Sequence, residues 1–415
     1  MSVSEAPPHA DSINASGSDL TTRPEQQRSL DHGFSEGSRQ NRLAALRAAS
    51  GAALTALDES RPIADPETLR GNIEHYIGLT QIPTGVMGPL PVHGTAAKGS
   101  FYVPLATTEG ALVASFNRGA KAIRLAGGAT SVCLQEGVQR APVFKFADLH
   151  EATDFVAWIG TQRSTFERVV SATSRYARLN DVRPRVEGNQ VTVVFEYHPA
   201  EAAGQNMATV CTDAICAQVL LDTSVKPDGF YIEGNFSGDK KATAVNLGSV
   251  RGKRVSAEVF LPRRVLEQTL LSTADAMLAY GRTACSGAAQ SGALGVQGHY
   301  ANGLAALYLA CGQDVACVAE SHIGVTRFEP AEDGGLYAAI TLPCLLVGTV
   351  GGGTRLPTQA DCLALLGCEG GPGSARKFAE ICAAVVLAGE LSISAAIANG
   401  HFASAHRKLG RPPKP

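Results

Sequence analysis

"SRYARLNDVRPRVEGNQVTVVFEYHP", Ser174–Pro199, reads as a pair of strands, and what flanks it decides the fold. Upstream, "PVFKF", Pro142–Phe146, is a short β-rich run. It is followed by "DLHEATDFVAWIGTQRSTFERVV", Asp148–Val170, whose apolar residues recur at helical spacing. Downstream, "AGQNMATVCTDAICAQVLLDTS", Ala203–Ser224, is helical, and "GFYIEGN", Gly229–Asn235, is a strand. The order β-α-β-β-α-β is that of a split βαβ unit. The spacing predicts a small domain over 142–234, inserted in a larger one made of 91–141 and 235–415.

The expected class is therefore α+β: a large α/β domain carrying a ferredoxin-like insert. Residues 1–39, rich in Ser, Pro, Gly, Gln and charge, are expected to be disordered. Residues 40–90 form a helical and extended segment, with Leu43, Leu46 and Leu54 on a short amphipathic helix. "IGLTQIPTGVMGPLPVHG", Ile77–Gly94, is broken by prolines and glycines and reads as extended, turn-rich chain. "TTEGALVASFNRGAKAIRLAGG" is a helix with Thr107 or Thr108 as its cap and Gly127-Gly128 at its end. Leu112, Phe116, Ala120 and Ile123 make its apolar face. Beyond the insert, "KRVSAEVFLP" is a strand and Pro262–Ala279 a helix. A Gly/Ala/Ser-rich stretch follows, then a helix through "YANGLAALYLACGQD". "GLYAAITLPCLLVGTVGGGT" reads as strand running into a glycine loop, and helices lie near 357–366 and 374–398.

At 415 residues, with 45% hydrophobic residues, the chain can build a sizeable core. Its 36 basic and 38 acidic residues give a net charge of −2, so nothing draws it broadly to nucleic acid or an anionic membrane. Ten cysteines show no zinc spacing or CxxC pair, which points to a reducing, cytoplasmic setting and no metal. The longest apolar run, Phe378–Ala398, contains Glu380 and Glu390. Each acid would cost about 2.5–3.5 kcal/mol at a bilayer centre, so a buried helix of a soluble protein is expected, without a membrane partner.

Chemistry gathers in "GNFSGDKKATAVN", Gly234–Asn246, where Asp239, Lys240 and Lys241 adjoin among small residues. The stretch is either a solvated turn or a pocket that holds and polarises an anion. Glu109, near a helix start, is either a solvated first-turn carboxylate or a buried acid of raised pKa able to donate a proton. Asp314, closing an apolar helix, either faces water or is paired. His401 and His406 are either idle tail residues or a general acid. "GTVGGGT", Gly348–Thr354, is either a tight turn or a loop that lets a ligand approach the backbone.

Taken together, these segments resemble the 3-hydroxy-3-methylglutaryl-coenzyme A reductases. The resemblance spans about residues 70–410 and rests on "IGLTQIPTGVMGPL", "TTEGALVASFNRGAKAI", "TSRYARL", "GNFSGDKKATAVN", "RGKRVSAEV", "GHYANGLAALYLACGQD", "GTVGGGT" and "LAGELSISAAIANGHFASAH". The length and the DKK loop look like the class I form without its membrane-anchoring segment. The resemblance implies reduction of HMG-CoA to mevalonate and free coenzyme A with two NADPH, in a homodimer or homotetramer with sites at subunit interfaces. It implies Glu109, Lys240, Asp314 and His406 as the catalytic set, with Lys240 a buried ammonium and Asp314 sharing a network with Glu109. It also implies that Arg140, Lys241 and Arg282 gather the acid end of the substrate, the family having a lysine at Arg282. Ser115, Asn117, Arg118, Lys121, His299 and His401 match positions near coenzyme A. Ser174, Arg175, Tyr176, Asn206 and the loop Gly351, Gly352, Gly353 and Thr354 match the NADP site, with Ser174, Arg175 and Tyr176 on the 142–234 insert.

Three departures stand out: "EAAGQN" with Glu201 for the usual aspartate, Glu233 for the usual serine beside the substrate carboxylate, and "EHYIG" at Glu74–Gly78. They leave the reaction type alone; Glu233 motivates one rival reading, a reductase of another 3-hydroxyacyl-CoA, and a non-catalytic coenzyme A-binding relative is a second. Retention of all four catalytic residue types favours the enzyme.

Overall fold

The computed structural model describes residues 33, 35–50, 58 and 65–400. The chain divides into two compact units, 1–80 and 81–415. In the first, helix α1 spans Glu36–Ser50, so it begins inside the segment expected to be disordered. Its start has a local cause: Ser35 Oγ accepts the Ser38 amide at 3.1 Å, and Glu36 binds Arg39 one turn on. Leu43 and Arg42 are buried, and Arg42 Nε donates to the Tyr76 carbonyl at 2.7 Å. The expectations for residues 1–32 and for Leu54 lie outside the described residues.

The second unit starts at Gln81 rather than 91, because the proline-rich stretch is a strand and not a string of turns. Strand β1, Thr84–Gly94, pairs antiparallel with β2, Lys98–Ala106. Its register shifts between Met87 and Leu90, which is where Pro89, lacking an N–H, is accommodated. Helix α2, Leu112–Leu125, begins later than expected. Its N-cap position is Ala111 at φ 73°, with no side-chain cap, and Thr107 instead accepts the Glu109 amide.

Strand β3, Ala129–Arg140, belongs to two sheets. Its first part pairs with β1 and with β8, Gly252–Leu261, and its last three residues pair with β6, Gln190–His198. In chain order the intervening elements are β4 (Val143–Lys145), α3 (Leu149–Gly160), α4 (Arg163–Thr173), β5 (Arg178–Glu187), β6, α5 (Gln205–Asp222) and β7 (Gly229–Tyr231). Their strand order is β7-β4-β6-β5, antiparallel throughout. Phe144, Phe146 and Phe155 pack ring to ring beneath these strands, and Phe166 meets Phe195 edge-on at 5.5 Å.

Past the insert, β8 is followed by α6 (Ala274–Ser291), β9 (Gly295–Val296), α7 (Tyr300–Ala310), β10 (Gly324–Pro330), β11 (Leu336–Leu345), α8 (Pro357–Leu365) and α9 (Ser374–Ala398). The helix expected over Pro262–Ala279 is broken. Leu271 takes φ 54°, and Thr273 Oγ1 then accepts the Ala276 amide and starts α6 afresh. The Gly/Ala/Ser-rich stretch is helical to Ser291, as its alanines favour, and Gly292 at φ 69° ends it.

Helix α9 is apolar and long enough to cross a membrane, yet 83% of its apolar window lies buried inside the protein. Its two acids are each satisfied. The Glu380 carboxylate accepts the amides of Ala96 (2.9 Å), Ala97 (2.7 Å) and Cys133 (3.2 Å), and the Thr95 hydroxyl. Glu390 accepts the amides of Gly298 and His299 and the Thr326 hydroxyl at 2.7 Å, and burial raises its pKa.

Around α9 the helices pack through glycine. The Phe116 ring of α2 lies between Gly303 of α7 and Gly389 of α9, and a Cβ on either would stand within 2.6 Å of it. A Cβ on Gly119 would meet the Ala388 carbonyl oxygen at 1.9 Å. Backbone cannot swing aside as a flexible side chain can. Gly119→Ala is therefore expected to destabilise the protein by about 1–3 kcal/mol or more, read as a lower urea midpoint.

Candidate active site

The loop between β7 and β8 is pinned from within: Asn246 Nδ2 donates to the Lys241 carbonyl at 3.0 Å. It presents Lys240 at φ 54°, a left-handed backbone that non-glycine residues rarely adopt. Lys240 Nζ meets Asp314 Oδ2 at 2.9 Å. The other oxygen, Oδ1, accepts the Ala316 amide at 3.1 Å, so Asp314 caps the helical turn that follows α7. Its hydrogen bond with Asp314 raises the Lys240 pKa above the ordinary lysine value. The expected burial of this ammonium is corrected: the Lys240 side chain is 44% exposed in the single chain. A paired cation at a rim fits the loop better than a desolvated one, because the carboxylate touching it is itself near the surface.

Beneath Lys240 lies a buried ion network. Asp239 gives Oδ1 to Arg251 Nη2 at 2.6 Å and Oδ2 to Arg140 Nη1 at 3.0 Å. Burial pushes the Asp239 carboxyl up, but the two guanidinium groups outweigh it and hold the pKa below the usual value. Arg140 also reaches Glu233 Oε2 at 3.4 Å and Thr209 Oγ1 at 2.7 Å, and Ser237 Oγ donates to Glu233 at 2.8 Å. Glu233 is thus no bare charge. Lys241 is exposed, with Nζ on the Asp239 carbonyl at 2.9 Å.

Three motif segments close on this loop. Gly312, two residues before Asp314, packs directly on Gly353; a Cβ on Gly312 would stand 2.3 Å from the Gly353 oxygen. Gln313 Oε1 accepts the Gly348 amide at 2.9 Å, and Thr349 donates to the Glu201 carbonyl at 2.8 Å. The Glu201 carboxylate accepts the Gly373 and Ala375 amides at 2.7 and 2.8 Å, at the N-terminus of α9. The longer acid here is therefore a helix cap from a distant segment. Among the described residues, Gly351 and Gly352 have open space around their Cα atoms, beside a cavity of about 420 Å³ lined by Val350, Thr354 and Arg355.

The remaining expected residues fall into separate groups. Glu109 is exposed, not buried, and accepts Asn302 Nδ2 at 2.9 Å. Among the described residues neither Lys240 nor Asp314 bonds to it, so the expected network between Asp314 and Glu109 is joined only through helix α7. Ser115 and Arg118 both bond Ser392 of α9, and burial lowers the Arg118 pKa. Asn117 accepts the Gly88 amide, Lys121 is exposed, and the buried His299 ring stacks on Phe116 at 4.7 Å. Arg282 lines a cavity of about 720 Å³ between α6 and β10. On the insert, Ser174 Oγ accepts the Tyr176 amide, Arg175 lies over the Tyr176 ring at 4.7 Å, and Asn206 is exposed. His401 and His406 lie outside the described residues.

Sequence reasoning passed over Asn302, Arg251, Glu320 and Gln313. Asn302 and Gln313 sit inside the quoted segment "GHYANGLAALYLACGQD" and Arg251 inside "RGKRVSAEV", where their polar character was the available signal.

Known proteins share this arrangement of the chain. The family model described as hydroxymethylglutaryl-coenzyme A reductase matches residues 38–411. The 3-hydroxy-3-methylglutaryl-coenzyme A reductase of Pyrococcus abyssi is 44% identical over 357 residues, covering 84% of this chain and 86% of that protein. The Haloferax volcanii protein of that name is 43% identical over 350 residues, covering 83% and 86%. Among solved structures, the class II enzyme of Streptococcus pneumoniae bound to NADPH superposes with a TM-score of 0.64 at 21% identity, covering 86% of both chains.

The Glu201 cap generates a test. Glu201→Ala is expected to cost about 1–2 kcal/mol, seen as a lower thermal or urea midpoint, with Glu201→Gln losing less.

Proposed function

Because the chain belongs to the hydroxymethylglutaryl-coenzyme A reductase family, we propose that the cleft around Lys240 and Asp314 is where it reduces HMG-CoA to mevalonate and free coenzyme A with two NADPH. The observation that carries the assignment is the 2.9 Å Lys240–Asp314 pair, held beside the Gly312–Gly353 contact. A charged donor and an open backbone loop meet there.

The residues present fit the cofactor. Among the described residues, nothing stands within 4 Å of where a Cβ on Gly351 or Gly352 would sit, which leaves their backbone open to a flat ligand. The strand order of 142–234 supports reading that segment as a ferredoxin-like nucleotide-binding domain within 91–415. Arg175, exposed on the Tyr176 ring, would pair a 2′-phosphate, with Ser174, Tyr176 and Asn206 beside it. NADPH, when bound, supplies the reducing hydride.

The protein's own groups handle charge and protons. Each reduction step builds negative charge on the carbonyl oxygen, and Lys240 offers a fixed ammonium there. Asp314 keeps that ammonium protonated and aimed. Glu109, steadied by Asn302, delivers a proton to the aldehyde oxygen in the second step. His406 protonates the departing coenzyme A thiolate. Arg140, Lys241 and Arg282 receive the substrate's free carboxylate, with Glu233 neutralised by Arg140 and Ser237. Ser115, Asn117, Arg118, Lys121 and His299 lie along the coenzyme A path, and His401 serves coenzyme A binding with them. The half-exposed site and the apolar outer sheet residues Leu134 and Phe260, 59% and 62% exposed, support a homodimer or homotetramer that completes it. The cysteine pattern supports a cytoplasmic setting.

Spectrophotometric loss of NADPH with HMG-CoA tests the assignment. Lys240→Ala is expected to lower kcat by about 10²–10³; retained turnover would move the chemistry elsewhere. The pair also sets a pH dependence. Asp314 raises the Lys240 pKa, so the active ammonium persists to higher pH and is lost as pH rises through that raised value. Asp314→Asn should therefore move the alkaline limb of kcat to lower pH.

A further inference from the structure

Lys240 is held at its backbone as well as at its ammonium. Arg251 is wholly buried and joins three elements: Nη1 donates to the Gln139 carbonyl of β3 at 2.8 Å, Nη2 to Asp239 at 2.6 Å, and Nε to Glu320 Oε1 at 3.4 Å. Glu320 is also fully buried, on the helical turn Val318–Ser321. Burial pushes its carboxyl pKa up, and the Arg251 guanidinium beside it pulls the other way. Asp314 and Glu320 thus stand at opposite ends of one short segment. The first takes the lysine's side chain, and the second reaches Asp239, the residue before the lysine, through Arg251. In between, Asp239 is clamped by two guanidinium groups directly before the left-handed residue.

We propose that Glu320 is a positioning residue for Lys240, and that with Arg251 it fixes the lysine's peptide so that the ammonium stays on Asp314 and aimed at the reacting oxygen. The inference rests on the catalytic reading of Lys240. Neither Glu320 nor Arg251 touches substrate in this account; both act through the lysine. A left-handed backbone is strained at a non-glycine residue, so the loop keeps this conformation only while its neighbours hold it. A displacement of about 1 Å at a catalytic group can cost up to about 100-fold in rate.

The test uses the full chain with HMG-CoA and NADPH, comparing Glu320→Asp, Glu320→Gln and Lys240→Ala. Glu320→Asp draws the carboxylate back by one methylene. It is expected to lower kcat by about 10- to 100-fold, to leave KM for HMG-CoA nearly unchanged, and to move the alkaline limb of kcat to lower pH. Glu320→Gln keeps an oxygen acceptor for Arg251 Nε and should recover most of kcat. Wild-type kcat and an unmoved limb in Glu320→Asp would overturn the proposal. So would equal losses in both Glu320 variants, or a Glu320→Asp protein that no longer melts cooperatively, since the residue would then serve the fold alone. If Lys240→Ala keeps turnover, the catalytic reading itself fails. An inactive Lys240→Ala beside an unperturbed Glu320→Asp removes only this inference.

Discussion

The burial of one helix governs where everything else can stand. Residues Ser374–Ala398 run through the core with two ionisable groups that have no access to water, so the surrounding chain must supply donors to them. Glu380 takes the β1–β2 turn and β3; Glu390 takes the approach to α7. At its N-terminus the same helix receives Glu201, and on its flank Ser392 holds Ser115 and Arg118. The glycine loop over 348–354, helix α2 and the segment leading to Asp314 are all referenced to this single rod.

Much of the fold was legible because periodicity is local. The insert's alternation of strand and helix, the glycine punctuation after α2, and the apolar length of α9 can all be read from neighbours in sequence. The misreadings share a cause as well. Prolines in 83–91 suggested turns, but β1 gains its strand from β2 and β3, which the local run cannot reveal. The break at Leu271 depends on Thr273 capping a new helix, a competition between two plausible starts. Glu201 stood out only as a departure from the usual aspartate, and only tertiary structure brings the N-terminus of α9 to it.

For the site, residue types were legible and their connections were not. Lys240 meets Asp314, and Gly312 beside it packs on the glycine loop. Glu109 stands apart, linked to Asn302 and so to the start of the helix that ends near Asp314. Glu320 carried no motif and Arg251 no assigned role, because a side chain that acts through another residue leaves only an oddly placed charge in the sequence.

Strand β3 has a thermodynamic consequence. It hands its hydrogen bonds from β8 to β6 between Gly137 and Val138, with no linker between the two sheets. Melting either sheet would strip amides from a strand the other still needs. The insert is therefore not a bead on a string with its own transition: the two layers share one cooperative unfolding event.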